Sequence, residues 1–361
     1  MNYIVLGANF GDEGKGSVVS NLIKQDDFNL VIRFNGGHQV GHTVIHNGIR
    51  HVFSNFGSGT LQGVPTYWSK YCTIHPLGIL NEYDVLKEKE ITPVLYIDPL
   101  CPVVTPFDIA DNQTTERQNN HGSVGVGFGS TIKRQEAYYK LYAQDLLCES
   151  VARLKLEEIA KYYGQEYNHS ESKINKFLKE VEEMLSLVGI KIKKPDLPSY
   201  YNYIFEGGQG ILLDQDFGFF PHVTRSNTTS KNAMEIIKEN NISAVDDKVI
   251  YVTRAYTTRH GYGPLPCEHI PVDYINKNPE ETNVYNLWQR EFRYAPLNLD
   301  LLKYAIMSDR NFHNYSRILW MTCVDQVGEK IPCIKDNKVI QLNISSISKE
   351  FGLGVRTQTK A

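Results

Sequence analysis

Short apolar runs alternate with glycine-rich polar turns along the first 110 residues, a rhythm that belongs to α/β chains. Tyr3–Leu6 predicts a strand that enters the turn Gly11–Ser17, and Val18–Lys24 continues with helical spacing. Leu30–Phe34 predicts a second strand, entering Asn35–His42, and Pro93–Ile97 a third, entering the proline-rich Asp98–Phe107. Residues 121–131 read as another glycine-rich loop. A charged helical stretch follows from about Ile132 to Val188. Within it Ile174, Phe177, Leu178, Val181, Met184 and Leu185 recur every three or four residues, an apolar stripe for packing rather than chemistry. Tyr203–Phe205 predicts a strand leading into a further glycine turn at Glu206–Gly210. Val249–Tyr256 and Ile318–Val324 predict two more strands. The expected fold is α/β: a large, mostly parallel central sheet with flanking helices, P-loop-NTPase-like, carrying helical and loop insertions. No Gly/Ser/Pro linker and no internal repeat divides the chain. The expectation is one domain over 1–361 with a helical insertion at about 132–190.

Composition narrows the function classes. Of the 361 residues, 41% are hydrophobic and 22% charged, and the formal net charge is −3. That balance gives no electrostatic argument for nucleic acid or an anionic membrane. No apolar run approaches the ~20 residues of a membrane span, and no basic leader precedes the first strand. The six cysteines are dispersed without a C-x-x-C pair, which argues against zinc fingers and disulfide frameworks and suits a reducing cytoplasm.

Candidate chemistry gathers at the glycine turns, which a parallel sheet brings to its C-terminal edge. Gly11-Asp-Glu-Gly-Lys-Gly-Ser17 can hold phosphate through backbone N–H groups and Lys15. It is not a Walker A loop: Asn9 stands where the first glycine belongs, and Gly16 follows the lysine. Its acidic pair, Asp12 and Glu13, fits a metal ligand or a proton acceptor better than a plain anion cradle. The other turns carry His38, Gln39 and His42, then Ser123, then Gln209, polar side chains that a mere turn does not need. Together they read as a composite nucleotide site.

Five ordered blocks resemble the signature segments of adenylosuccinate synthetases. They are Gly11–Ser17, Gly36–Thr43, Glu206–Asp214, Phe220–Asn227 and Ala255–Pro264, and the tail Phe351–Thr359 is similar to a remnant of that family's closing block. The resemblance implies a ligase that joins L-aspartate to C6 of a purine nucleotide after a nucleoside triphosphate has phosphorylated the 6-oxygen. By the same resemblance Asp12 is the base that removes the N1 proton, and also a Mg²⁺ ligand together with the backbone carbonyl of Gly41. His42 occupies the general-acid position, and Gln209 holds the substrate base. The triphosphate would lie against Gly11, Glu13, Gly14, Lys15, Gly16, Ser17 and Thr43. Its base would lie near Thr322, Cys323 and Asp325, with Gly352 and Gly354 beyond. The mononucleotide would meet Gln39, Val40, Ser123, Val124, Leu213 and Thr224. The family's homodimer, each site completed by the partner chain, is also implied.

Departures from the family pattern are part of the reading. Gln39 stands where an asparagine is usual, and the 122–130 loop lacks its arginine. For the arginine lent across the dimer, Arg134 is the nearest candidate. The aspartate-binding arginines reduce to Arg290 and Arg293, whose guanidinium groups suit two carboxylates. Thr322-Cys-Val-Asp325 replaces T-K-L-D, which weakens the case for GTP and makes ATP the expected donor. These departures are similar to a branch in phages that replace adenine with 2-aminoadenine. That branch takes dGMP and ATP to N6-succino-2-amino-2′-deoxyadenylate, in host cytoplasm. Conventional synthesis from IMP is the alternative, and a non-catalytic nucleotide-binding protein is the remote one.

Overall fold

The computed structural model describes residues 1–119, 122–165, 167–243, 246–279, 281, 283–285 and 287–359, with the backbone alone for 167–169. His121, the first residue of the 121–131 loop, therefore lies outside the described residues. The strands of the first half are β1 (Asn2–Gly7), β2 (Leu30–Arg33), β3 (His42–His46), β4 (Ile49–Phe53), β5 (Thr66–Trp68), β6 (Leu95–Ile97) and β7 (Ile190–Ile192). Those of the second half are β8 (Tyr203–Gly210), β9 (Lys248–Arg254), β10 (Thr257–His260), β11 (Phe292–Ala295), β12 (Leu297–Asn298), β13 (Ser316–Thr322), β14 (Ile331–Lys335), β15 (Lys338–Leu342) and β16 (Gly354–Thr357). Helices α1 (Lys15–Gln25), α2 (Pro76–Glu88), α3 (Pro106–Asn119), α4 (Phe128–Glu136) and α5 (Glu149–Tyr162) come first. Helices α6 (Tyr167–Ser186), α7 (Lys231–Glu239), α8 (Leu299–Asp309) and α9 (Ile344–Phe351) follow.

Among the described residues, nine strands form one sheet in the order β16-β13-β9-β1-β8-β2-β5-β6-β7, with every neighbouring pair parallel. β1 shows why its sequence is a continuous apolar run. Ile4 and Leu6 enter a core shared with α7 and α8, while Tyr3 and Val5 pack on Val18, Val19 and Leu22 of α1. A strand covered on both faces has no polar side to alternate with. A third cluster joins Ile79 and Leu86 of α2 to Leu156 and Ile159 of α5 over β5 and β6. The predicted stripe of α6 completes it: Ile174, Phe177, Leu178, Val181 and Met184 are buried, and Leu185 packs at its margin.

Several boundaries differ from expectation. α1 begins at Lys15 rather than Val18. The stretch 132–188 is not one helix but the end of α4, a short 3₁₀ turn, α5 and α6. It returns to the sheet edge as β7, which three residues of alternating Ile-Lys-Ile do not announce. The turn expected at Glu206–Gly210 is strand: β8 runs on to Gly210. Its glycines reflect crowding rather than a turn. A Cβ on Gly207 would lie 3.1 Å from the Val5 carbonyl, and one on Gly208 2.8 Å from Val40. The loops after β1, β2 and β9 and the end of β8 thus meet at the C-terminal edge of the sheet, where open α/β folds bind ligands. Among the described residues no helix is long and apolar enough to cross a membrane.

Candidate active site

The loop between β1 and α1 is held by its own glutamate. Glu13 is 1% exposed; its Oε1 accepts the N–H groups of Asn9 at 3.0 Å and Gly11 at 2.8 Å. Its Oε2 pairs with Lys15 Nζ at 3.0 Å, so a buried charge is met by a buried charge. Gly11, Asp12 and Gly14 take left-handed φ values of 92°, 61° and 87°, which explains two of the glycines. Gly16 has a different reason. A Cβ there would lie 2.7 Å from the Cβ of His42, so only glycine lets α1 approach β3 this closely. No side chain caps Gly14, which leaves the first-turn amides of α1 open to an anion.

A cavity of about 890 Å³ opens beside this loop. Gly11, Asp12, Gly14, Lys15 and Gly16 line it on one side, and Gly41, His42 and Thr43 continue that wall. Burial pushes the Asp12 carboxyl above its ordinary value, while Arg254, His260 and Lys15 pull it back down. Arg254 is buried at the end of β9 and donates Nε to the Asp12 carbonyl at 2.6 Å and Nη1 to Glu281 at 2.7 Å.

His42, 5% exposed, forms a dyad with Glu206 of β8, Nδ1 to Oε1 at 2.6 Å. Among the described residues its Nε2 atom has no partner, and His42 lines the cavity. Burial pushes the imidazole below its ordinary value, further than Glu206 pulls it back. Burial opposes charge on Glu206 too, yet His42, Arg33 and Ser58 outweigh it and hold this carboxyl down at about 2. Ser58 bonds the same carboxylate through its N–H, at 3.1 Å, and through its hydroxyl. Arg33 faces Glu206 across the β2–β8 ladder, fully buried, its guanidinium 5.5 Å from the centre of the Trp68 ring.

Gln39, Val40, Ser123, Val124, Gln209, Leu213 and Thr224 line the same cavity, as the sequence predicts for one mononucleotide wall. Gln209 Nε2 reaches Thr224 Oγ1 at 3.4 Å, while its Oε1 and both amide atoms of Gln39 are buried without partners among the described residues. Ser123 sits in a loop fixed from α3. Glu116 accepts the N–H groups of Gly122 at 2.6 Å and Ser123 at 3.1 Å, and Asn112 donates to Ser123 Oγ at 3.0 Å and accepts from Gly127 N–H at 3.0 Å.

Other predicted residues fall elsewhere. Arg134 is a correction: it is fully buried, with Nε 2.8 Å from Asp108 Oδ1 and Nη2 donating to the Val103 carbonyl at 2.8 Å, so it ties α4 to α3 and cannot reach a phosphate. Arg290 and Arg293 border a separate cavity of about 530 Å³, and Tyr262 lines both cavities. There Arg293 pairs with Glu268 at 2.7 Å, and Arg290 donates to the Tyr285 hydroxyl at 3.2 Å. The predicted donor-base residues cluster at the end of β13 and do not line the main cavity. Thr322 donates its hydroxyl to the Glu13 carbonyl at 2.8 Å, Cys323 is buried, and Asp325 is exposed. Gly352 ends α9 and Gly354 opens β16 beside β13. Ser17 accepts a bond from Gln358.

Glu206, Arg254, Glu116 and Asn112 were not singled out by sequence, although Glu206 opens the segment Glu206–Asp214 that resembles a family signature. The i, i+4 spacing of Asn112 and Glu116 was visible, but nothing local tells that a distant loop folds back onto that helix face. Among the described residues no three His, Cys, Asp or Glu side chains converge as a metal cluster. The cavity still fits Mg²⁺, which takes one or two protein oxygens and completes its shell with phosphates and water. Asp12 brings a carboxylate raised by burial, which a cation would relieve, and Gly41 lines the same wall.

Residues 4–334 match the family model described as adenylosuccinate synthetase. An adenylosuccinate synthetase of Neisseria meningitidis is 32% identical over 284 residues, covering 74% of this chain and 64% of that protein. One of Teredinibacter turnerae is 33% identical over 285 residues, covering 74% and 65%. The chain thus spans somewhat less than two thirds of these relatives' length. Its fold matches the fully ligated adenylosuccinate synthetase of Plasmodium falciparum with a TM-score of 0.75, at 18% identity over 98% of this chain and 96% of that one. It also matches the cyanophage S-2L succinoaminodeoxyadenylate synthetase bound to dGMP and dATP as an energy donor, with a TM-score of 0.61, at 12% identity over 97% and 99%.

Proposed function

We propose, for a chain that belongs to the adenylosuccinate synthetase family, that it joins L-aspartate to C6 of dGMP at the expense of ATP, giving N6-succino-2-amino-2′-deoxyadenylate, ADP and phosphate. The observation that carries the reading is one cavity lined by both Asp12, a carboxylate raised by burial, and His42, an imidazole backed by Glu206. Binding alone needs neither; a base and an acid facing one space suit a proton-coupled transfer.

In this scheme Asp12 takes the N1 proton of the purine, and the electron pair moves to O6, which attacks the γ-phosphorus. The bond from that phosphorus to the bridging oxygen of the diphosphate breaks. His42 supplies a proton from Nε2 to that oxygen, and the resulting imidazole charge change is buffered by Glu206. Lys15 and the open amides of α1 lie where phosphoryl oxygens gather charge. Mg²⁺ held by Asp12 and the Gly41 carbonyl would neutralise the triphosphate when bound. The aspartate amine then attacks C6, the 6-phosphoryl group leaves as phosphate, and the amine loses a proton. Arg290 and Arg293 are the residues proposed for the aspartate carboxylates, from the adjoining cavity.

The choice of dGMP is supported by the unpartnered amide oxygens of Gln39 and Gln209, which a 2-amino group can satisfy and the C2–H of IMP cannot. The named relatives at 31–33% identity are conventional synthetases, and they favour IMP as the second reading. Phosphate release with aspartate, crossing dGMP, GMP and IMP against ATP and GTP, decides between them. Product with dGMP and ATP is expected, its mass confirming the succinyl adduct. Product from IMP alone would overturn the dGMP reading, and no turnover with any pairing would overturn the ligase. A homodimer is part of the proposal and is checked by light scattering.

A further inference from the structure

We infer that Lys133, in the last turn of α4, binds the 5′-phosphate of the purine mononucleotide within its own subunit. This rests on reading the cavity as a nucleotide ligase site. Adjacent residues on a helix point about 100° apart. Arg134 therefore turns into the core against Asp108, while Lys133 turns out and lines the cavity. Among the described residues the Lys133 side chain has no hydrogen bond or ion pair, and it is exposed.

The carboxylates that α3 and α4 bring to this wall already have donors. Glu136 pairs with Arg225 at 2.7 Å, Asp111 accepts from Ser130 Oγ at 2.7 Å, and Glu116 is filled by two loop amides. The glycine loop itself has little left to offer an anion. The N–H groups of Gly122, Ser123, Gly125 and Gly127 all have acceptors in Glu116, Ser123 and Asn112. A dianionic phosphate placed there would also face the Glu116 carboxylate.

Thr224 marks a better position. Its Oγ1 accepts from Gln209 Nε2, so its own O–H is available to donate. The next residue, Arg225, is anchored to Glu136, which lies one helical turn beyond Lys133 on the same face of α4. A phosphate beside the Thr224 hydroxyl then shares the cavity with the Lys133 ammonium, which lies on the α4 face that also carries the anchor of Arg225, a mobile point cation suited to a monoester.

The test is calorimetric titration of dGMP, deoxyguanosine and ATP, each alone, into the wild-type chain, Lys133→Met, Lys133→Gln and Lys133→Arg. The expected result is a roughly tenfold to hundredfold loss of dGMP affinity in the Met and Gln variants. Deoxyguanosine and ATP should bind unchanged, and the Arg variant should recover most of the loss. Equal dGMP affinity in wild type and Lys133→Met overturns the inference, as does a loss shared by deoxyguanosine or falling on ATP instead. A wild-type chain that binds dGMP and turns over, yet ignores the lysine, overturns this inference alone. A wild-type chain that binds no purine mononucleotide overturns the ligase reading with it.

Discussion

Two glycine-rich loops border the cavity, each fastened by a glutamate that accepts two of its amides, and they are built for opposite purposes. In the loop after β1, Glu13 takes the amides of Asn9 and Gly11, and its second oxygen meets Lys15. The Glu13–Lys15 pair is neutral as a unit, and the uncapped first turn of α1 still offers N–H groups to the cavity. In the loop before α4, both oxygens of Glu116 go to Gly122 and Ser123, and among the described residues no cation pairs with it. That loop repels an anion and presents side chains instead. Glycine content says that backbone comes close to something. What fills the amides says whether that something can be a phosphate.

The largest effect available on the first side is chemical. Asp12→Asn should lower kcat by roughly a thousandfold, the scale of a lost general base, while the dissociation constants for ATP and mononucleotide move only a few-fold. Steady-state rates beside direct binding measurements check it, and turnover at the wild-type rate would remove Asp12 as the base. The next effect is structural. Glu13→Ala leaves Lys15 buried without its partner and two amides unmet, and should cost about 3 kcal/mol in denaturant unfolding. Glu116→Ala should cost less, about 1–2 kcal/mol, since it frees amides but strands no charge. It should also raise the mononucleotide KM by loosening Ser123. If the two glutamates proved equally costly, the distinction drawn between the loops would not hold.

The same contrast explains what could be read from the sequence. The strand–turn–helix rhythm placed β1, β2 and β9 within a residue or two, because both faces of each are buried and the apolar run is unbroken. The residues lining the cavity were legible because they sit close in sequence to the glycines that put them there. Glu206–Gly210 misled, since glycine in a strand crowded by Val40 and the Val5 carbonyl has the same letters as glycine in a turn. Arg134 misled because sequence gives the presence of a cation but not its helix face; its neighbour Lys133 is the one that lines the cavity. Glu206, Arg254 and Glu116 act across 164, 242 and 6 positions of chain, on His42, Asp12 and Gly122. The two long pairings come from sheet order, and the short one from a loop folding back on a helix. Neither leaves a local pattern.

The smallest effect is also the most diagnostic of the environment the first loop makes. In the proposed scheme Asp12 must be ionised to accept the N1 proton, and burial raises its carboxyl above the ordinary aspartate value of 3.8. Activity should therefore fall on acidification at a pH higher than an ordinary carboxylate would allow, and kcat/KM against pH gives that limb. Arg254 is the strongest of the charges that pull Asp12 down, ahead of His260 and Lys15. Removing it in Arg254→Met should move the acid limb further up in pH, because desolvation would then act with less opposition. A limb that moved down, or stayed while Lys15→Met moved it more, would mean that the phosphate loop and not β9 sets the base. The two loops would then differ in charge but not in what tunes the chemistry beside them.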